Sequence, residues 1–583
     1  MLAQFQARCQ LGFAEKELAR STKPPVTTHV ADLYMNNLET DQYELLFARA
    51  RVDLCSDQGA EWIAVWRPMP AHATPKLKDL LTLQKITANM AGSYDINQRQ
   101  FFWQETDTEG RVMVAWQHLF PPAEDMRHFV GIFFQLRWQA CHDDVPYPVE
   151  RNERAYLEGA DEVRPPAQTT KKSVRFDSTD DVPLRSDSGP TRPDSASDAD
   201  SDSESESESE SEDEGDRRMR STIRYKPTVF DGAKGGSATS NSLLAVGKDR
   251  SFVVQGSKIG VFRYDDDEGL RHTATINQVN DPNAPSERFS PKKVMLHRND
   301  REMLLLRPGD DTHVYRMDLE AGKVVDSWEV QNARVKSILP DKKYAQMTDT
   351  STITAFSDNA LFQIDPRTAD KTVNLKSYAV KNGFTSAATT GKGYVAVASE
   401  KGEIRLYNKL GMNAKTLLPG FGAPITGLDV TEDGQWVLAT TRTYILLIPT
   451  GIEGSAKNGF ETSMKQTPPQ AIKLQLDPCH AVWMRCPINY TPARFNTGEQ
   501  EERYIATSTG PWVIRWNFNR VKSGHTMNYI ITRTKESVVD DSFRFNRARQ
   551  IVVATKANVS AMHTSLMKRP EQLRADTVKE YDN

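Results

Sequence analysis

Few side chains in this 583-residue chain stand in a spacing that chemistry requires. Thr389-Thr390-Gly391-Lys392-Gly393 has the outline of a phosphate-cradling loop, but it lacks the earlier glycine. Gly393 also stands where a Ser or Thr hydroxyl would hold magnesium. The five residues are therefore expected to form a hairpin turn. Cys479 and Cys486 lie seven apart with His480 between them, one ligand short of a four-ligand zinc site and outside its usual spacings. The eleven histidines are dispersed. No His-Glu-x-x-His helix, Gly-x-Ser-x-Gly elbow or Cys-x-x-Cys pair occurs, so the chain is expected to be no enzyme, with no metal and no cofactor.

Motifs for docking are more visible. Lys172, Val174 and Phe176 alternate in Lys-x-Val-x-Phe, the form of a docking strand for type 1 protein phosphatase. Two apolar side chains would fill pockets beside a sheet edge, and the basic residue would meet an acidic surface. Further on, Ser201, Ser203, Ser205, Ser207, Ser209 and Ser211 alternate with acids. That is the pattern an acid-directed Ser/Thr kinase selects, and each phosphate would add roughly −1.5 to −2 charge. A third candidate is Arg494-Phe495-Asn496-Thr497-Gly498, a loop-like stretch that reads either as a binding loop on a domain face or as a loop-ordering turn.

These candidates sit on a chain of uneven composition. Hydrophobic residues make up 38% of it, which is low for two folded domains until a low-complexity middle is set aside. Residues 194–216 hold twelve acids and no base, so the net −4 of the chain leaves about +8 for the remainder. A segment of this composition has too little apolar area to fold. Five scattered cysteines are expected to be reduced thiols, which suits the cytoplasm, alone or together with the nucleus. No run of 18 apolar residues occurs. The first 20 residues lack a secretory core and are expected to form a short amphipathic helix before Pro24-Pro25.

Behind the acidic run one phrase recurs: an apolar strand, a Gly-containing turn, and a more polar strand. In residues 386–408, Val395, Val397 and Ser399 face one way and Tyr394, Ala396 and Ala398 the other, so both faces are buried. Related phrases end in VFRY, VYRM, LFQI, IRLY, ILLI and VIRW, roughly 40–55 residues apart except for one longer gap. A weaker copy is expected over 529–555. Spacing and repetition favour a β-propeller of six or seven blades over a β-sandwich.

The segments SLLAVGKDRSFVVQGSKIGVFR, KVMLHRND, VYRMDLEAGKVVDSWEV, KYAQMTD, SAATTGKGYVAVASEKGEIRLYNKLG and YTPARFNTGE resemble the carboxy-terminal domain of the vacuolar import and degradation protein twenty-seven family, over about residues 242–521. The resemblance implies a WD-repeat-like propeller and a link to the delivery of cytosolic proteins for vacuolar degradation. It supplies no chemistry.

Ahead of the acidic run, residues 43–54, 61–67, 101–105 and 111–119 read as strands, and 124–141 as an amphipathic helix bearing Met126, Phe129, Val130, Phe133 and Phe134. Strands closed by one helix resemble a pleckstrin-homology-like β-barrel. The connecting loop at 56–61 is acidic, and Lys76, Lys78 and Lys85 are spread along a segment expected to be helical, so phosphoinositide binding is not favoured. Trp62, Trp66, Trp103, Trp116 and Trp138 are expected in the core.

The expected division is an extension at 1–29, the barrel at 30–145, an acidic disordered linker at 146–240, the propeller at 241–555 and a charged flexible tail at 556–583. The expected role is a scaffold or adaptor for other proteins, cargo or degradation machinery among them. Its alternatives are a regulatory subunit that recruits type 1 protein phosphatase and a peripheral phosphoinositide-binding protein. No nucleic-acid partner is expected, because no binding signature is present.

Overall fold

The computed structural model describes residues 24–163, 228–229 and 240–574, except 38–41, 58–59, 70–75, 91, 108, 143–144, 149, 266–268, 278 and 499–500. The front domain is one seven-stranded sheet: β1 (Thr27–Asn37), β2 (Gln42–Asp57), β3 (Ala60–Trp66), β4 (Leu80–Lys85), β5 (Gly92–Asp95), β6 (Gln100–Thr106) and β7 (Val112–Leu119). Its order is β4-β3-β2-β1-β7-β6-β5, with antiparallel neighbours. The sheet curls until Thr82 of β4 donates a hydrogen bond to Glu105 of β6 at 2.8 Å. Helix α1 (Ala123–Gln139) closes the barrel, its Phe129 and Phe133 packing on Phe101 of β6. Trp103 and Trp116 are fully buried, whereas Trp62, Trp66 and Trp138 are only half-buried, a correction to their expected place in the core. The segment from Lys76 is not helical beyond one short turn at Leu77–Asp79 and continues as β4, where Leu81 and Thr82 are buried. Tertiary pairing with β3 decides that outcome.

Behind it, seven four-stranded antiparallel sheets form a ring. Each blade is a meander running outward from the axis. The first is Asn241–Val246, Arg250–Gln255, Lys258–Asp265 and Gly269–Ile276. The second strand of each blade is its buried heart: Glu302–Leu306, Ile353–Phe356, Val395–Ser399 and Tyr504–Thr509 have every residue buried. Neighbouring blades cover both of its faces, so the period-two alternation of a half-wet strand disappears. Those strands were legible in the sequence. Val395–Ser399, the apolar strand of the repeated phrase, is second from the axis, behind Phe384–Thr389, which is mostly half-buried.

Blade seven consists of Val538–Arg544, Arg547–Thr555, Asn558–His563 and Thr228–Val229. Two expected boundaries are thereby corrected. Tyr529–Arg533 is the outer strand of blade six rather than the start of a seventh copy. Residues 558–566, expected in a flexible tail, are strand and turn, and His563 and Thr564 are buried. The ring closes through a strand from upstream of the first blade, which ties the two ends of the domain together by backbone hydrogen bonds.

The expected linker also begins too early. Residues Arg151–Gly159 form helix α2, which buries Tyr156 and Leu157 against blades four and five, with Tyr156 beside Phe421 at 5.2 Å. Just after α2, Asp161 is buried between two cations from different domains. Arg137 of α1 reaches it at 2.6 Å and Lys473 of blade five at 2.5 Å; all three side chains are at most 5% exposed. Lys473 also donates to the carbonyl of Gly92 in β5 at 2.9 Å. Val112 and Ala115 of β7 share an apolar cluster with Leu438, Met484 and Trp512, and helix α3 (Pro478–Met484) packs on β7. The barrel is docked on the propeller rather than tethered to it.

Candidate functional site

The innermost strands of the seven blades touch one another in succession around the axis. Among the described residues their inward edges pair with no further strand, and the side chains of the inner strands and their loops leave the axis unfilled. A cavity of about 410 Å³ runs along it. The residues lining it come from all seven inner strands, among them Lys293, Ser337, Ser386, Asp429, Arg494 and Asp540.

The loops that leave the inner strands close one end. Tyr344 of blade three meets Phe545 of blade seven across the axis, edge to face, with ring centroids 5.7 Å apart. Lys343 crosses from blade three to blade five, donating to Asp429 at 3.0 Å and to the Val430 carbonyl, with Glu502 of blade six at 3.9 Å. Asp429 also accepts the Phe495 amide at 2.9 Å. Lys343 keeps its ammonium pKa above the usual lysine range: burial opposes the charge, but Asp429, Tyr344 and Glu502 outweigh it. Burial pushes Glu502 the other way, upward. The closing loops pass through left-handed, non-glycine residues at Arg298 (φ 50°), Asn299 (φ 59°), Asp300 (φ 60°), Tyr344 (φ 69°) and Asn546 (φ 58°). Such a residue costs on the order of 1–2 kcal/mol of strain, held in place here by neighbouring loops. The result is a cup rather than a through-channel.

Toward the other end stand the charges of the wall. Arg494 donates to Asp540 at 3.2 Å, and Asp540 also accepts the amides of Leu244 at 3.2 Å and Asp541 at 3.0 Å. Lys293, the first residue of the inner strand of blade two, is exposed to the cavity. Enclosure and Arg494 lower its pKa, and Asp540 opposes them. Beneath this wall Asp541 is buried, accepts Thr491 Oγ1–H at 2.6 Å, and has its pKa raised by burial to about 6.

Of the residues singled out from sequence, the structure brings one stretch to this site. Arg494 and Thr497 line the cup, Phe495 and Asn496 are buried behind it, and Gly498 packs on blade seven. Asn496 Oδ1 accepts the amides of Arg503 at 2.7 Å and Tyr504 at 2.9 Å, which orders the loop. Gly498 has φ +83°, and a Cβ there would lie 2.3 Å from Asn546 Oδ1 and 2.8 Å from the Phe545 ring, so only glycine fits. The stretch is part wall and part loop-ordering turn. Residues 390–393 form the hairpin turn expected of them, with the Gly393 amide bonded to the Thr390 carbonyl. Cys479 and Cys486 are buried and form no disulfide among the described residues. Lys172, Val174, Phe176 and the six serines from Ser201 to Ser211 lie outside the described residues.

Sequence reasoning missed Lys293, Lys343, Tyr344, Asp429, Asp540 and Phe545 as one site. Lys293 opens the phrase KVMLHRND, Lys343 and Tyr344 open KYAQMTD, and Arg494 lies in YTPARFNTGE. The phrases were visible, but their convergence on one axis was not.

Seven four-stranded blades around a closed-ended axial cup define a WD40-like β-propeller. The chain belongs to the VID27 family: the VID27 C-terminal WD40-like domain matches residues 239–579. It is 44% identical over 345 residues to Vacuolar import and degradation protein 27 of Schizosaccharomyces pombe, covering 57% of this chain and 43% of that protein. Identity to the Saccharomyces cerevisiae protein of the same name is 35% over 363 residues, covering 59% of this chain and 46% of that one. The chain thus matches less than half the length of either relative. Among solved structures, the β-propeller domain of Cps50 (Swd1) from Myceliophteria thermophila covers 58% of the chain and 99% of its own, with 13% identity and a TM-score of 0.39. The blade count rests on the seven sheets and not on that likeness.

Proposed function

We propose that the protein is a non-enzymatic scaffold of the cytoplasm that binds a segment of another protein at the propeller axis, in a role linked to vacuolar import and degradation. The axial cup carries this reading. A cavity of about 410 Å³ lies near the low end of ligand-site sizes, roughly 300–1,000 Å³, which suits a side chain or short segment rather than a domain. Its walls mix apolar side chains such as Leu243, Met295 and Phe543 with Ser337, Ser386, Lys293 and Arg494, groups suited to holding a peptide side chain. Support for the link to degradation comes from the names of the two relatives. The four described cysteines form no disulfide with one another, which supports a reducing compartment.

Affinity purification tests this reading, comparing the full chain with one whose residues 165–225 are replaced by Gly-Ser sequence of equal length. The replacement spares α2, Asp161 and the closing strand Thr228–Val229. Partners identified by mass spectrometry are expected to persist. Their loss on replacement would move the function to Lys172, Val174, Phe176 and the serine run, as recruitment of type 1 phosphatase or a kinase requires.

A further inference from the structure

The cup is also chemically one-sided. Lys293 stands in it exposed, with no hydrogen-bond or ion-pair partner among the described residues. The two carboxylates of the axis are already engaged: Asp540 by Arg494 and the amides of Leu244 and Asp541, Asp429 by Lys343 and the amides of Phe495 and Val430. Arg494 spends one guanidinium nitrogen on Asp540, and its side chain makes no other hydrogen bond or ion pair among the described residues. Ser337 and Ser386 line the wall with hydroxyls that no described group occupies. An exposed ammonium, spare guanidinium donors and two hydroxyls share this wall, and Asp540 acts on Lys293 through its charge while forming its ion pair with Arg494 instead.

A low-dielectric wall strengthens the field of an unmatched charge, and a ligand that supplies the counter-charge recovers that energy. We propose that the cup takes one acidic side chain, presented by an extended segment of a partner protein, with Lys293 as its ion-pair partner and Arg494 as its second donor. A carboxylate or a serine phosphate meets this description. The committed source is a peptide, because a cavity of about 410 Å³ admits a side chain or short segment and apolar groups such as Leu243, Met295 and Phe543 line it together with the charge. This inference rests on the axis being the binding face.

The test uses the full chain and degenerate heptapeptide pools with a fixed central Glu, phosphoserine or Gln, and inorganic phosphate at matched ionic strength. Acylation of each lysine by an N-hydroxysuccinimide ester is followed by mass spectrometry. The Glu or phosphoserine pool is expected to slow acylation of Lys293 at least tenfold and to leave exposed Lys401 unchanged. The Gln pool and inorganic phosphate are expected to change Lys293 less than twofold. Lys293→Gln, with an unchanged melting temperature, is expected to weaken binding of the labelled acidic pool at least tenfold, and Arg494→Gln to weaken it less. Equal protection by the Gln pool, protection by phosphate as strong as by peptides, no protection by any pool, or undiminished binding to Lys293→Gln would each overturn the proposal. Partners that stay bound to the Lys293→Gln chain would defeat acid recognition and leave the scaffold reading standing. Partners lost only on linker replacement would defeat the scaffold reading itself.

Discussion

The barrel and the propeller treat their centres in opposite ways. The barrel fills its middle with Trp103, Trp116, Phe101, Phe120, Phe129 and Phe133, all at most 1% exposed. The propeller spreads its core among the spaces between blades and leaves along its axis a cavity lined by charged, hydroxyl and apolar side chains. A filled centre gives stability and a docking surface. An unfilled one gives a site. The barrel is accordingly a structural partner of blades four to six, and the proposed recognition falls to the axis.

The contrast extends to buried titratable groups. His118 in the barrel accepts Trp103 Nε1–H at 2.8 Å, and burial lowers its pKa to about 3. Asp541 in the propeller is raised to about 6. A histidine depressed below its unfolded value near 6.5 contributes stability above that value and loses it as pH falls toward 3. A carboxylate raised above its unfolded value near 3.9 has the opposite slope, losing stability as pH climbs from about 4 to 6 and staying low above that. Acid should loosen the barrel and relieve the propeller.

The largest expected effect comes from uncoupling the two. Asp161→Ala strands Arg137 and Lys473 as buried, unmatched cations, which should cost about 3–5 kcal/mol. Calorimetry should then resolve two transitions where the parent chain shows one. A single unshifted transition would mean that the triad does not hold the domains together.

Next, hydrogen-exchange protection factors in residues 100–119, which divide out the intrinsic pH dependence of exchange, should fall between pH 6.5 and 4.5 by the equivalent of about 2 kcal/mol. His118→Gln, which keeps an acceptor for Trp103, should flatten that limb. Protection factors in residues 538–555 should rise over pH 6 to 4, by the equivalent of about 2 kcal/mol, and Asp541→Asn should abolish the change. If both regions move in the same direction with pH, the contrast fails.

The smallest effect concerns the loop behind the cup. Asn496→Ala leaves two backbone amides without an acceptor and should cost about 1–2 kcal/mol in denaturant unfolding. Partner binding should persist at temperatures where the variant is folded. Loss of binding in a folded variant would make Asn496 a contact rather than a turn.

Legibility in the sequence tracked burial. Second strands such as Val395–Ser399 and Glu302–Leu306 announced themselves because both faces are apolar. Inner strands such as Ser337–Pro340 and Gly427–Val430 did not, being four residues long and partly wet. Helix α2 was lost in a polar neighbourhood, since of its nine residues only Tyr156 and Leu157 are buried. Leu80–Lys85 looked helical until β3 was there to pair with it.

What the sequence by itself determined is the repeat, the family, the division into two folded parts around an acidic run, and the aromatic core of the barrel. Those are properties of local pattern, where side-chain period and composition report burial directly. Only the tertiary structure decided the closing of the ring by Thr228–Val229, the docking of the barrel through Asp161, and the meeting of Lys293, Arg494 and Asp540. Lys293 and Asp540 are separated by nearly 250 positions, and no local pattern records which charges a closed ring will bring face to face.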